Sequence, residues 1–454
     1  MATDPTTIPA PLTEGSLLRS LHRLAMPMLV GAVLNNLQSI INLFWVGHLG
    51  PHAMAAVSVG GTILMLLFPM LMGLSTGTVA LVSRAIGSGQ RADATAAAGQ
   101  SLMLAAVVGI LTGWLGWHYS DALVRLIGVQ DEVLPDAESY LRINLLGNIT
   151  LYLQIIGAAA LQGAGDAKTP MWAGVIENIL NIALDPFLIY GLGPFPKLGV
   201  SGAAIASVLS QSVAAVIVVR AMFHERAHLR VTWHDWRPNL KLSWRILKIG
   251  LPGSGQLLTR SVMGVVLMIV VAKCGTAAVA AYGTGLRFHM IVLMPAFALG
   301  GAAATLVGQN LGAGKPERAR AAAWLATGLD LLFMLVAIFI MMTFAGPLMR
   351  MFNGDPEVVQ IGVSYLRIVS PFYVFAALGI VLGRGLNGAG DTLAPMVATI
   401  LALWGLQVPL AIWFSKIFAV PTDGIWWAIG AAGIAHGLLI TAWFELGRWK
   451  KQKV

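Results

Sequence analysis

The sequence predicts an all-α membrane protein, with twelve transmembrane helices in two six-helix lobes related by a pseudo-two-fold axis along the membrane normal. Three observations carry this prediction. Of the 454 residues, 57% are hydrophobic and only 11% are charged, whereas soluble domains contain about 25% charged residues. The apolar runs are long enough to cross the ~30 Å hydrocarbon layer of a membrane, which takes about 20 helical residues. Finally, the second half of the chain repeats the first.

The apolar runs divide into twelve segments separated by polar or glycine-containing breaks. The predicted helices cover residues 21–46, 53–83, 96–118, 137–164, 170–192, 198–222, 244–271, 277–310, 320–346, 359–388, 395–416 and 424–448. A membrane β-barrel would instead show short segments of alternating polarity. These runs, rich in Ala, Leu, Val, Ile, Met and Gly, do not alternate, so the spans are predicted to be helical.

Several motifs occur twice, always at the same offset along the chain. The pairs include Tyr140-Leu-Arg-Ile with Tyr365-Leu-Arg-Ile, Gly163-Ala-Gly-Asp166 with Gly388-Ala-Gly-Asp391, Pro170 with Pro395, and Pro27 with Pro252. Because each copy holds an even number of helices, both copies point the same way through the membrane, which places a substrate cavity between them. The predicted units are a tail at 1–20, an N-lobe at 21–222, a linker at 223–243, a C-lobe at 244–448 and a tail at 449–454.

The basic residues predict the orientation of the chain and explain its net charge of +9. Only five of the 29 Lys and Arg residues fall in the loops opposite the termini: Arg125, Lys197, Lys273, Arg350 and Lys416. Loops rich in Lys and Arg stay in the cytoplasm, so both termini are predicted to be cytoplasmic, in a bacterial inner membrane. Basic residues in short loops do not indicate nucleic acid, and no nucleic-acid partner is expected.

The repeated Gly-Ala-Gly-Asp segments are predicted to be tight turns, in which glycine adopts positive φ and Asp caps the next helix. A phosphate-binding loop is the alternative, but neither copy has the lysine of that motif or follows a strand. The single cysteine, Cys274, excludes an intrachain disulfide. The histidines lack metal-ligand spacing, and neither an enzyme active site nor a channel filter is visible. No cofactor is expected.

Ionisable side chains within membrane spans are costly and usually functional. Glu177, Asn181 and Asp185 follow at i, i+4 and i+8, which aligns them on one helix face over about 12 Å. Pro186 frees a backbone carbonyl one turn earlier. A carboxylate beside an amide and a disturbed helix can bind H⁺ or Na⁺. The alternative is a carboxylate held by neighbouring polar groups that fixes helix packing. Asp330 is a further acid, alone among apolar residues.

Arg260 is a cation well inside the seventh span, where its repeat counterpart is Asn35. A buried arginine stays charged and needs a carboxylate, carbonyl groups or water. Contact with an anionic group, a link between the lobes and an internal salt bridge are all open. Together with Asn35, Gln38, Gln256 and Met263, Arg260 is predicted to line the substrate cavity.

The chain resembles the multidrug and toxic compound extrusion (MATE) family over nearly its whole length. The resemblance is carried by FWVGHLG at 44–50, LVSRAIGSGQ at 81–90, LQGAGDAKTPM at 161–171, NIALDPFLIYGLG at 181–193, GVSGAAIAS at 199–207 and LVGQNLGAGKPERA at 306–319. It implies twelve helices in two lobes around a V-shaped cavity, with export of organic cations driven by H⁺ or Na⁺ antiport.

The resemblance also implies an N-lobe ion site at Asn181 and Asp185, with Ser207 where the family often has threonine. Na⁺ could be held there by Asp185 and Asn181. One departure is Asn42, which stands where the family commonly has an aspartate on the first helix. Coupling is then left to Asp185, with Glu177 as a second candidate. Another departure is Arg260, near the position of a seventh-helix glutamate in some branches, which disfavours a cation site in the C-lobe.

The sequence therefore predicts a monomeric secondary active transporter that works by alternating access. It would export small amphipathic compounds, organic cations foremost, in exchange for H⁺ or Na⁺. The alternative is a flippase or exporter of lipid-linked or anionic amphiphiles. Membrane lipid and the transported compound are the expected partners.

Overall fold

The computed structural model describes residues 12–224 and 229–452. The predicted N-terminal tail up to residue 11, residues 225–228 of the predicted linker, and residues 453–454 lie outside the described residues. Within the described ranges, twelve helices are long and apolar enough to cross a membrane. They are α1 Leu17–Gly47, α2 Pro51–Gly87, α3 Arg91–Leu126, α4 Leu134–Gly163, α5 Lys168–Tyr190, α6 Val200–Phe223, α7 Leu240–Ala272, α8 Thr276–Gly312, α9 Pro316–Arg350, α10 Pro356–Gly388, α11 Leu393–Ile417 and α12 Pro421–Glu445. Short 3₁₀ turns lie between α6 and α7 at Trp233–Trp236 and after α12 at Arg448–Lys451.

The twelve helices confirm the predicted all-helical fold, and most differ from the prediction only at their ends. The largest difference is in α3, which covers Arg91–Leu126 where the apolar run predicted residues 96–118. Its first turn contains Asp93, and Arg125 near its end donates to Asp121 at 2.8 Å. Because the i, i+4 ion pair and the acidic first turn both favour helix, the helix continues beyond its apolar segment.

The repeat appears in the packing of both lobes as equivalent contacts between repeat-related residues. A Cβ atom at Gly60 on α2 would lie 2.5 Å from the ring of Tyr140 on α4. At the repeat counterpart, Gly285 on α8, a Cβ atom would lie 2.4 Å from the ring of Tyr365 on α10. Each lobe therefore needs glycine at the position where its second helix meets the tyrosine of its fourth.

The lobes meet along α2, which packs against α7 and α8, and along α1, which packs against α8. The closest backbone approach between α2 and α8 is where their last turns cross. A Cβ atom at Gly87 would lie 1.9 Å from the carbonyl oxygen of Gln309, and one at Gly312 would lie 2.1 Å from that of Arg84. Arg84 and Gln309 are themselves repeat counterparts, so the crossing follows the pseudo-two-fold axis. Arg84 also donates to the backbone oxygen of Gln452 at 2.7 Å. The crossing thus lies at the end of the bundle that holds the C-terminal segment, called here the terminal end.

The repeated Gly-Ala-Gly-Asp segments form the turns predicted for them. Gly165 and Gly390 have φ of 96° and 88°, a conformation that side chains with a Cβ atom rarely adopt. Asp166 and Asp391 each accept a hydrogen bond from the backbone N–H three residues later, at 3.0 Å and 3.4 Å. The turns therefore start α5 and α11, as a capping role requires.

The C-lobe departs from the repeat in two helices. α10 contains a π-helical segment at Leu378–Leu382, and α11 contains another at Leu401–Gln407. Their N-lobe counterparts, α4 and α5, are α-helical throughout. Such π-segments are rare and often occur at functional sites. Both lie beside the polar side chains of the C-lobe described below.

Candidate ion and substrate sites

One face of α5 carries the predicted acids into the interior of the N-lobe. Glu177, Asn181 and Asp185 are only 5%, 0% and 1% exposed, and the amide nitrogen of Asn181 lies 3.4 Å from Asp185 Oδ1. The i, i+4, i+8 spacing thus gives the predicted row. Ser207 is buried on α6, which packs against α5, and Asn42 lies on α1, which also packs against α5.

Glu177 is held by an amide group from another helix. Gln154 Nε2 on α4 donates to Glu177 Oε2 at 2.5 Å. Gln38 on α1, predicted as a cavity residue, lies near the same carboxylate. Glu177 therefore lies where α5 meets α4 and α1.

Asp185 differs from Glu177, because one of its carboxylate oxygens has no donor among the described residues. Asp185 Oδ2, Asn181 Oδ1 and Asn42 Oδ1 are buried and have no hydrogen-bond partner within the described part of the chain. Buried polar atoms are normally paired. Acceptors without donors are satisfied by an added proton or by a cation that takes oxygen ligands. The described residues contain no group of three or more His, Cys, Asp or Glu side chains that could hold a metal ion, so any cation here would rely on amide and backbone oxygens as well.

The C-lobe has a basic centre that sequence analysis found only in part. Arg260 Nη2 lies 3.1 Å from His436 Nε2. His436 is 6% exposed and fits because residue 379 is glycine, whose Cβ would lie 2.3 Å from His436 Nδ1. Since Arg260 can only donate, His436 Nε2 accepts and the imidazole is neutral. Behind it, Gln256 Nε2 donates to Thr399 Oγ1 at 3.1 Å.

Arg384 on α10 is a second cation of this centre and lines the same pocket as Arg260. Its guanidinium carbon lies 5.6 Å from the ring centre of Phe297. Within the described residues, neither arginine forms a salt bridge with a carboxylate. The salt bridge considered for Arg260 is therefore absent from this conformation.

A pocket between the lobes exposes both arginines. It encloses about 500 Å³ of space free of protein atoms, part of it open to solvent. Its wall comprises Met72 and Thr76 on α2, Gly253, Gln256, Leu257 and Arg260 on α7, Phe297 on α8, and Gly379, Ile380, Gly383, Arg384 and Asn387 on α10. Gln256 and Arg260, which the sequence predicted to line the substrate cavity, both lie in this wall.

The other predicted residues lie elsewhere. Asn35 is exposed on α1. Met263 lies on the apolar face of α7, is 3% exposed and packs in the C-lobe core with Leu267 and Val271. It therefore does not line the pocket in this conformation. Arg384 was not singled out from the sequence, although it is a charged residue within a predicted span, the same signal that identified Arg260.

A helical bundle with a central inter-lobe pocket and buried ionisable groups defines a polytopic membrane transporter. The MatE family model matches residues 27–187 and 252–413, once in each lobe. The chain belongs to this family of MATE transporters.

Known proteins resemble the chain over nearly its full length. A probable multidrug resistance protein NorM from Thermotoga maritima is 30% identical, and the match covers 96% of this chain and 94% of that protein. An FAD transporter from Shewanella oneidensis is 28% identical, with coverage of 95% and 94%. The solved structure of a MOP-superfamily transporter from Pyrococcus furiosus, described as having a binding pocket of reverse polarity, matches with a TM-score of 0.90 at 26% identity, covering 99% of this chain and 100% of that one.

Proposed function

We propose that the protein is a secondary active exporter of small amphipathic compounds, driven by H⁺ or Na⁺ entering through the N-lobe. It would work by alternating access in a bacterial inner membrane, as a monomer with both termini in the cytoplasm and without a cofactor. The observation that carries this proposal is Asp185, a buried carboxylate with an oxygen that has no partner among the described residues. It lies one helical turn from Asn181, whose side-chain oxygen also lacks a partner, as does that of Asn42 on the neighbouring helix α1.

Ion binding at Asp185 is expected to change the packing of α5. Taking up H⁺ or Na⁺ neutralises the carboxylate and fills the vacant acceptor positions, which favours a different arrangement of α1 and α5 around Asn42, Asn181 and Asp185. Pro186 leaves the α5 backbone without one of its hydrogen bonds, so this helix bends at lower cost than a fully bonded one.

The inter-lobe packing supports alternation. The lobes touch closely at the terminal end, where Gly87 and Gly312 allow the backbones of α2 and α8 to cross. Separating this contact while closing the opposite end would expose the pocket to the other side of the membrane. Substrate and coupling ion must each weaken the binding of the other by the same factor, because linkage is reciprocal.

The proposal is tested with purified protein in proteoliposomes under an imposed pH gradient and, separately, a Na⁺ gradient. Two dyes with a common ring system, cationic rhodamine 123 and anionic carboxyfluorescein, report transport of either charge. The wild-type protein should accelerate at least one dye under one gradient. Asp185→Asn should lose this acceleration while folding normally, since asparagine has nearly the same shape but cannot bind a proton or supply a negative charge.

A matched control is Asp121→Asn, which also removes one carboxylate but lies on α3 in an exposed pair with Arg125. This variant should transport like the wild type. Gradient-driven transport that persists in folded Asp185→Asn would overturn the assignment of the coupling site.

The second candidate function is export of anionic or lipid-linked amphiphiles, and the pair Arg260 and Arg384 favours it. The Shewanella relative is named as a transporter of FAD, which carries phosphates, and the Pyrococcus transporter is described with a pocket of reverse polarity. Both functions share the coupling mechanism and differ in the charge of the cargo.

A further inference from the structure

We propose that Arg260 and Arg384 bind an anionic group, a carboxylate or a phosphate, on the transported molecule. This inference rests on the proposed function, because it takes the inter-lobe pocket as the substrate cavity. It goes further by assigning the recognition site and the chemical class of the ligand.

The first reason is charge without compensation. Two arginines line one pocket, and no carboxylate among the described residues forms a salt bridge with either one. A charge within a membrane protein is expensive unless it is paired or faces water, and two like charges in one pocket add repulsion. An arrangement that is costly without a ligand becomes favourable when an anion lies between the arginines.

The second reason is that the donors are held in place but remain largely free. Arg260 has five N–H groups, and its only hydrogen-bond partner in the described structure is His436. His436 is itself fixed by Gly379 and contacts Thr399 Oγ1 at 3.1 Å. Arg384 is held by the face of Phe297. Anchored guanidinium groups with unused N–H donors can form the bidentate contacts that carboxylates and phosphates accept.

The third reason is the rest of the pocket wall. Asn387 is 7% exposed, and its Oδ1 atom has no hydrogen-bond partner among the described residues, so a hydroxyl or N–H group of the ligand could donate to it. Met72, Leu257 and Ile380 supply apolar surface. The wall thus fits an amphipathic molecule with one anionic group beside a donor.

The π-helical segment of α10 contributes to this site. Leu378–Leu382 contains Gly379 and Ile380, which both line the pocket. Arg384 follows the segment by two residues, and its N-lobe counterpart is Ala159 in the regular helix α4. The irregular helix and the arginine therefore occur together, and only in the C-lobe.

Equilibrium binding to purified protein in detergent, without any gradient, tests the site directly. Riboflavin 5′-phosphate and riboflavin share a ring system and differ by the phosphate. Carboxyfluorescein and rhodamine 123 share a xanthene ring system and compare an anionic probe that carries carboxylates with a cationic one. The wild-type protein should prefer the anionic member of at least one pair, and a preference within the riboflavin pair identifies the phosphate as the recognised group.

Arg260→Gln and Arg384→Gln should each weaken binding of the preferred anionic probe by roughly ten- to a hundredfold, with little change for its uncharged or cationic partner. Arg260→Lys should retain more affinity than Arg260→Gln but less than the wild type, because lysine keeps the charge but lacks the planar, forked set of N–H donors of arginine. Arg125→Gln, which removes a positive charge from an exposed pair on α3, is the matched control and should bind like the wild type.

Two results would overturn the proposal: equal binding of both members of each probe pair by the wild type, or an equal loss for both members in the arginine variants. The second result would assign the arginines to packing. Asp185→Asn separates this inference from the coupling proposal. It should keep the preference for the anionic probe at equilibrium even where it loses gradient-driven transport.

Discussion

The two lobes share a scaffold but differ in the sign of their buried charge. The N-lobe centre contains two acids, Glu177 and Asp185, whereas the C-lobe centre contains two arginines. Their repeat counterparts lack the corresponding group: Glu177 pairs with Ala402, Asp185 with Leu410, Arg260 with Asn35, and Arg384 with Ala159. The positions retained in both copies include those at which a helix needs glycine to pack or turn, such as Gly60 and Gly285.

In this duplicated transporter, the residues that pack the helices and the residues that carry buried charge are therefore under separate constraints. Gly60 and Gly285 each face a tyrosine ring, and Gly87 and Gly312 each face a backbone carbonyl, so neither lobe tolerates a larger residue there. The buried charges have no such symmetric requirement. In the proposed mechanism the N-lobe therefore binds the coupling cation and the C-lobe binds an anionic group of the substrate. The two ligands contact different helices.

The largest expected effect comes from breaking the shared scaffold. Gly312→Ala should destabilise the protein by about 3 kcal/mol, at the upper end of overpacking effects, because its Cβ would lie 2.1 Å from a backbone oxygen that cannot rotate away. Gly87→Ala should cost a similar amount, since its Cβ would lie 1.9 Å from the equivalent oxygen. Thermal unfolding of purified protein in detergent measures both.

Gly328→Ala on α9 is the control for these variants. Nothing lies within 4 Å of its Cβ position, so alanine should be neutral or stabilise the helix by up to about 1 kcal/mol. A small loss of stability in Gly87→Ala together with a large loss in Gly312→Ala would show that the two glycines are not equivalent at this crossing, contrary to what the repeat implies.

Most of the fold could be predicted from the sequence, because the signals that determine it are local or periodic. Apolar run length gave the twelve helices, and the constant offset between Gly163 and Gly388 gave two equivalent lobes. The helix ends were less predictable: α3 begins at Arg91 and ends at Leu126, since charged end residues continue a helix without contributing to its apolar run. The π-segments of α10 and α11 depend on packing between helices and leave no pattern in the sequence.

The candidate sites were predictable only where one helix carries them. Glu177, Asn181 and Asp185 lie on α5, and their spacing predicted the row. The C-lobe centre combines side chains from four helices, so Arg260 could be noticed but its partner His436, 176 residues away, could not. Arg384 could be recognised from the sequence as a charged residue inside a predicted span. Its place in the same pocket as Arg260 could not be predicted, because the two residues are on different helices.

A second prediction distinguishes the roles of the two N-lobe acids, Glu177 and Asp185. In Glu177→Gln the hydrogen bond from Gln154 loses its charge assistance. This change should cost about 1–2 kcal/mol of stability and reduce gradient-driven transport by less than about tenfold. Asp185→Asn should instead abolish coupling with a smaller loss of stability, because one carboxylate oxygen there has no partner to lose. Initial transport rates and unfolding midpoints of both variants are the measurements. Equal transport defects in the two variants would make the acids one coupled site.

The smallest expected effect on transport concerns Asp330, the one buried acid among the described residues of the C-lobe. Asp330 is fully buried on α9, and neither carboxylate oxygen has a hydrogen-bond partner among the described residues. Its N-lobe counterpart is Ala105. Asp330→Ala should therefore stabilise the protein by about 1–3 kcal/mol, the cost of burying an unpaired polar group, and leave transport within about twofold of the wild type.

Asp330→Asn is the companion variant, because it keeps a buried polar group of the same size and should gain less stability than Asp330→Ala. Thermal unfolding and gradient-driven dye transport are compared for both variants. A loss of transport in Asp330→Ala that exceeds tenfold, with the protein still folded, would place a second coupling group in the C-lobe. The separation of cation coupling in one lobe from anion recognition in the other would then be wrong.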